Sequence, residues 1–236
     1  MNLSWNEMQL GRGETIHDTA KVLDRYVDAI MARVFSHRDL EELARHAKVP
    51  VINGLSDKHH PCQVLADLLT LLQHKRRLKG LKLAYVGDGN NVCNSLLIGC
   101  GKTGVNVAAA TPESYRPDPE SVREAEEAGH ETGATVQLTT DPEVAVKNAD
   151  AVYTDTFVSM GMEKEKEERI RAFLPKYQVN GQLFGHARPD AIFLHCLPAH
   201  RGEEVTADII DGPNSAVWAE AENRLHTSKA IMTLIL

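Results

Sequence analysis

From residue 81 onward the chain alternates short apolar runs with helical periods, and this alternation limits the possible folds more than any other feature. LKLAYVGDG, VNVAAAT, ATVQLTT, DAVYTDTF and AIFLHCLP have the length and near-continuous apolar character of buried strands. Between them, NNVCNSLLIGCGKTG, PESVREAEEAGHETG and the charged segment from Met162 to Leu174 carry the helical period. Strands that are apolar on both faces, separated by helices, predict an α/β fold with a doubly wound parallel sheet. Ligands of such sheets sit beyond the carboxyl ends of the strands. GDGNN, TDTFVSMG and HCLPAHR all follow strand ends, so a site is expected there.

The first 80 residues read differently. Between Thr15 and Arg33 the apolar positions Ile16, Ala20, Val22, Leu23, Tyr26, Val27, Ile30 and Met31 recur at helical spacing, and after Ser36 and His37 the period resumes at Leu40, Leu43 and Ala44. Two helices are predicted. VPVING reads as a short strand. HPCQVLADLLTLLQHKRRL reads as a long helix with Pro61 in its first turn and its end at Gly80. The chain closes with AENRLHTSKAIMTLIL, a helix with an apolar tail.

Composition excludes several functions. A net charge of -7 gives no support to nucleic-acid binding, and MEKEKEERIR alternates sign as a solvated helix face does. No apolar stretch approaches the roughly 18 residues of a membrane span, and the N-terminus lacks a secretory pattern, so a cytoplasmic location is expected. Cys62, Cys93, Cys100 and Cys196 form no CxxC pair and are expected as free thiols.

Each candidate segment has two readings. GDGNNV has Val92 where a dinucleotide fingerprint needs glycine, so Asn90 and Asn91 open a helix either as a plain cap or as a cradle for a carboxylate or phosphate. DKHHPCQ places His59, His60 and Cys62 together, with His74 beyond, at a spacing unlike a structural zinc site; no metal is expected. His60 and Gln63 are instead either donors toward a bound carbonyl or phosphate, or ordinary residues of a helix start. Asp155 in TDTFVSMG either caps a turn or holds a ligand ammonium, with Gly161 permitting loop movement. Cys196 is either a packed thiol or a thiolate favoured by His195, His200 and Arg201.

Taken in order, HPCQVLADLLT, GDGNNVCNS, TDTFVSMG, HCLPAHRGEEV and AENRLHT make the chain, from LGRGET to its end, resemble the ornithine carbamoyltransferase family. HCLP and Ser-Met-Gly resemble its ornithine branch rather than the aspartate branch. The resemblance implies transfer of the carbamoyl group of carbamoyl phosphate to L-ornithine, giving citrulline and phosphate in arginine metabolism, with no cofactor and no metal. It implies that Arg33, His60, Gln63 and Arg224 contact carbamoyl phosphate and that Asn91, Asp155, Ser159 and Met160 bind ornithine. Cys196 and Leu197 would lie between the substrates, with Cys196 accepting a proton from the attacking amine or orienting it. Cys196, His60 and Arg224 form the implied catalytic set.

The same resemblance implies a partial carbamoyl-phosphate domain over 1–78, an ornithine domain over 79–215 and a returning helix over 216–236, the helix after Pro61 and the final one joining the domains. Small-molecule substrates and a trimer-based homo-oligomer are the implied partners, without nucleic acid or membrane. Two departures stand out. The family's Ser-Thr-Arg-Thr phosphate grip occurs nowhere in this chain, and Phe157 replaces a common tryptophan. The first implies an incomplete first domain and weak activity for these 236 residues alone. A non-catalytic remnant that binds ornithine or acts structurally is therefore the alternative, and Val92 disfavours a nicotinamide oxidoreductase.

Overall fold

The structure is a computed structural model that describes residues 1–4, 13–159 and 162–236. It opens with helix α1 (Ile16–Leu23), strand β1 (Ile30–Arg33), helix α2 (His37–His46) and strand β2 (Val51–Leu55). β1 and β2 pair in parallel, Ile30 opposite Val51. Here the structure corrects the sequence reading, which carried a helix through Arg33. Alternate burial of Ile30 and Ala32 against exposed Met31 and Arg33 is a strand period, and over four residues it also satisfies a helical one. Asp24 decides the outcome: its carboxylate accepts the backbone N–H groups of Lys48 and Val49, which anchors the chain entering β2 and leaves 30–33 beside it.

Helix α3 (Pro61–Lys75) follows, with Pro61 in its first turn. It stops five residues before the expected Gly80, because Arg76 takes a left-handed conformation (φ 62°) and closes the helix onto the carbonyl of Leu72. Then come β3 (Lys82–Val86), α4 (Asn91–Thr103), β4 (Asn106–Ala110), α5 (Pro119–Thr132), β5 (Val136–Thr139), α6 (Pro142–Val146) and β6 (Ala151–Tyr153). The chain ends with α7 (Lys166–Phe173), α8 (Gly181–Phe184), β7 (Ile192–Leu194), α9 (Ala207–Ile210) and α10 (Val217–Ile235). The short helices α6, α8 and α9 span too few residues to show a helical period. No helix among the described residues is long and apolar enough to cross a membrane.

The main sheet has the order β5-β4-β3-β6-β7, parallel throughout, as the alternation predicts. Successive residues face opposite sides. Leu83, Tyr85, Val107, Ala109, Tyr153 and Leu194 pack with α3, α4 and α5, while Ala84, Val86, Ala108, Val152 and Phe193 pack with Phe173, Leu183 and Ile210 on the other face. Both faces of the central strands are covered, which is why β3, β4, β6 and β7 read as apolar runs, while edge strand β5 leaves Gln137 exposed. Strand order reverses between β3 and β6, so the turns after those two strands flank the crevice where such sheets bind ligands.

Candidate active site

The turn after β3 shows what its glycines are for. A Cβ on Gly89 would lie 2.3 Å from the backbone nitrogen of Pro117, and Gly87 sits at φ 143°. The glycines permit close backbone contact within the protein. Asn90 caps α4, its side-chain oxygen accepting from the N–H groups of Val92 (3.0 Å) and Cys93 (3.1 Å). Its amide nitrogen donates to Asp155 Oδ2 at 2.7 Å, which ties the turn after β3 to the turn after β6. Asn91 donates to the carbonyl of Ser56 at 2.7 Å and so joins α4 to the segment leaving β2.

Asp155 is the centre of this end of the sheet. Its Oδ1 accepts from the Cys196 thiol at 3.1 Å and from the N–H of Thr156 at 2.8 Å. Every contact donates to it, as suits a carboxylate. Burial, together with Asp155 and Glu220, pushes the Cys196 thiol up, so the sulfur holds its proton. The cationic neighbours in sequence do not offset this. Arg201 pairs with Asp211 at the surface, and His200 faces Glu204. His195 is fully buried, accepts the N–H of Leu197 at Nδ1 (2.9 Å) and therefore carries its proton on Nε2, 3.3 Å from Glu204 Oε1. That bond holds Leu197 at φ 56°, a left-handed turn rare for leucine, directly after the thiol.

The helix ends supply the other wall. His60 precedes α3 and is buried, its N–H donating to Ser95 Oγ at 2.8 Å. Burial, with the guanidinium groups of Arg224 and Arg33 nearby, lowers the His60 imidazole to about 4. Near neutral pH it is uncharged, a donor at one nitrogen only. His60 Nδ1 and Arg224 Nε are buried and meet no partner among the described residues. Gln63 donates from Nε2 to Asp67 Oδ1 (2.7 Å) and Glu220 Oε1 (3.1 Å), while its Oε1 accepts from Arg224 Nη1. The amide therefore offers an acceptor to the site, where the sequence suggested a donor.

Arg33, at the exposed end of β1, enters no ion pair among the described residues and acts on His60 through space. Ser159 lies in the half-buried loop after β6, and Met160 falls outside the described residues. Asp155, His195 and Cys196 bring potential metal donors within 4.8 Å of one another, but their hydrogen bonds already employ the thiol and imidazole. Sequence reasoning missed Asp67, Asp88, Arg169 and Glu220. A carboxylate inside the apolar run VLADLLTLL was a usable signal for Asp67; Glu220 gave none, since its burial follows from how α10 packs on α3.

Because the folded His60 titrates near 4 and a free histidine near 6.5, the unfolded chain binds more protons between those values. Stability is complete above about pH 6.5 and falls on acidification toward pH 4, by about 3 kcal/mol from this group. Urea unfolding at pH 7 and pH 4 is expected to show a smaller loss for His60→Asn than for the parent protein. Equal losses would show that the imidazole is not held uncharged.

Comparison with known proteins adds identity to this geometry. Residues 79–235 match the family model of the aspartate/ornithine carbamoyltransferase Asp/Orn binding domain, and residues 1–73 match that of the carbamoyl-P binding domain. An ornithine carbamoyltransferase of Thermococcus kodakarensis is 59% identical over 234 residues, covering 99% of this chain and 74% of the relative. One from Bacillus subtilis is 58% identical over 234 residues, covering 73% of the relative. The solved ornithine carbamoyltransferase from Pyrococcus furiosus superposes with a TM-score of 0.95 at 57% identity, covering 100% of this chain and 75% of that one.

Proposed function

Because the chain belongs to the aspartate/ornithine carbamoyltransferase family, we propose a division of labour among the residues gathered at these strand and helix ends. The reaction is transfer of a carbamoyl group from carbamoyl phosphate to L-ornithine, giving citrulline and phosphate. Relatives near 58% identity that carry this enzyme name, over nearly the whole chain, weigh against a non-catalytic role.

Arg33 and Arg224 hold the anionic phosphate, with residues 1–78 forming the carbamoyl-phosphate side of the site. A local pair of guanidinium groups serves a dianion even where the whole chain is acidic. His60, uncharged, donates its N–H toward the carbamoyl oxygen, on which negative charge grows during attack; a preorganised donor there is typically worth about 2.7–4 kcal/mol. The Gln63 oxygen accepts from the carbamoyl amide. Residues 79–215 form the ornithine side, where Asn91, Ser159 and Met160 hold the amino-acid end, and α10 returns Arg224 to the first.

The ornithine side-chain amine titrates like lysine, near 10.4, so supplying it uncharged at pH 7 costs roughly 4.6 kcal/mol. The amine attacks in its uncharged form; Asp155 accepts the proton that it releases once bonded to the carbamoyl carbon, and Cys196, whose thiol already donates to Asp155, orients the amine. The amine lone pair forms the bond to the carbamoyl carbon. The bond from that carbon to the phosphate oxygen breaks, its electrons leave with phosphate, and the amine proton passes to Asp155. The observation that carries this reading is the Asp155–Cys196 hydrogen bond at the ends of β6 and β7, with the buried His60 Nδ1 and Arg224 Nε left without partners among the described residues. A trimer-based homo-oligomer in the cytoplasm is proposed on the family resemblance alone.

The test is direct. With carbamoyl phosphate and L-ornithine the purified protein is expected to release citrulline and phosphate in equal amounts, and to give no product with L-aspartate. Product from aspartate but not ornithine would overturn the assignment.

A further inference from the structure

Two helices meet behind the site through matched pairs four residues apart. α3 presents Gln63 and Asp67, and α10 presents Glu220 and Arg224, each pair on one helix face. Gln63 binds Arg224 and both carboxyl groups, and Glu220 Oε2 accepts the N–H of His195 at 2.9 Å, the residue before the thiol. Asp67 and Glu220 are both buried. We propose that the Asp67–Glu220 carboxyl pair is a positioning device for the transfer reaction, setting at once the orientation of the Gln63 amide and the start of the turn that carries Cys196.

The chemistry gives the two acids different tasks. Two carboxylates this close and this buried cannot both be ionised. Burial pushes both carboxyl groups up, Asp67 well up with Glu220 beside it, while hydrogen bonds from Asp67 and from the His195 N–H hold back the rise of Glu220. No N–H or O–H donor among the described residues reaches Asp67 Oδ2, which marks that oxygen as the proton carrier. Asp67 then accepts from Gln63 at Oδ1, and its protonated carboxyl shares a hydrogen bond with Glu220. Glu220 must stay an acceptor at both oxygens, for Gln63 and for His195. With both acceptors on its amine side, the Gln63 amide cannot flip, and its oxygen stays turned toward Arg224 and the carbamoyl group.

This inference rests on the carbamoyl-transfer reading, and it predicts an asymmetry. Asp67→Asn keeps the acceptor oxygen and the donor group of a protonated acid, with one N–H more, and is expected to keep kcat and both KM values within about threefold. Glu220→Gln places a donor where an acceptor is needed and is expected to lower kcat/KM for carbamoyl phosphate by roughly 10- to 100-fold, since misplacement by about 1 Å has effects of that size. Ornithine affinity, measured by titration calorimetry, should stay within about twofold in both. Glu220→Asp keeps the carboxylate, shortens its reach and provides a second folded test with the same sign. A Glu220→Gln or Glu220→Asp protein with unchanged kinetics would overturn the proposal, as would an Asp67→Asn protein as impaired as Glu220→Gln. A parent protein that made no citrulline would instead defeat the reading on which the proposal rests.

Discussion

Replacing Asp155 with asparagine is expected to lower kcat for citrulline formation by about 100- to 10,000-fold, the range contributed by a positioned acid or base. Asparagine has the same shape and still accepts from Thr156, so the turn after β6 should persist. What changes is proton acceptance. The amine of ornithine attacks uncharged and must then lose a proton, which an amide cannot take. The asparagine also turns one donor toward either Asn90 or the Cys196 thiol, both of which now donate to Asp155. Cys196→Ala removes only the orienting partner and is expected to have the smaller effect on kcat. Steady-state kinetics with both substrates saturating, alongside circular dichroism to confirm the fold, decides the matter. An Asp155→Asn enzyme within tenfold of the parent would move the base elsewhere.

The largest stability effect is expected at the pair of Arg169 and Asp88. This arginine is buried on α7, in contact with the carboxylate of Asp88 in the glycine turn, and it donates through Nε to the carbonyl of Phe157 at 2.7 Å. Its guanidinium also lies 4.7 Å from the centre of the Tyr115 ring. The contacts fasten the loop that contains Ser159 to the turn after β3. When Arg169 is removed, Asp88, which burial already pushes up to about 7, takes a proton and strands no charge, whereas removing Asp88 leaves the guanidinium charged and unpaired, a loss of about 3–5 kcal/mol. For a chain of this size that corresponds to a fall in Tm of roughly 6–20 °C. Asp88→Leu should show it in calorimetry, and Arg169→Met should lose less. The double variant should recover much of the loss, because two apolar side chains leave no stranded charge. A double variant that loses the sum of the two would show that the contacts to Phe157 and Tyr115, not the ion pair, hold the loop.

The two halves of the chain differed in how far they could be read. In the second half, five strands and the longer helices between them were legible because burial on both faces forces continuous apolar strands and because a cap such as Asn90 marks a helix start. In the first half, Ile30–Arg33 was misread as helix, since four residues satisfy either period and only pairing with Val51–Leu55 separates them. The site divided the same way. Asp155, Cys196 and His60 were visible as polar residues at strand and helix ends. The role of Cys196 was not, because the charge of a thiol depends on burial and on a carboxylate 41 residues away.

The sequence by itself therefore determined the parallel α/β layering, the family and the strand ends at which the site forms, all of which rest on local periods and on motifs in order. Only the tertiary structure decided that His195 shapes a turn instead of activating the thiol, that Gln63 offers an oxygen, and that Asp67 and Glu220 stand behind it. Each of these depends on which donor meets which acceptor across packed elements, up to 161 residues apart for Gln63 and Arg224. No local pattern records such a meeting, because a hydrogen bond's sign is set by the partner and not by the segment that carries it.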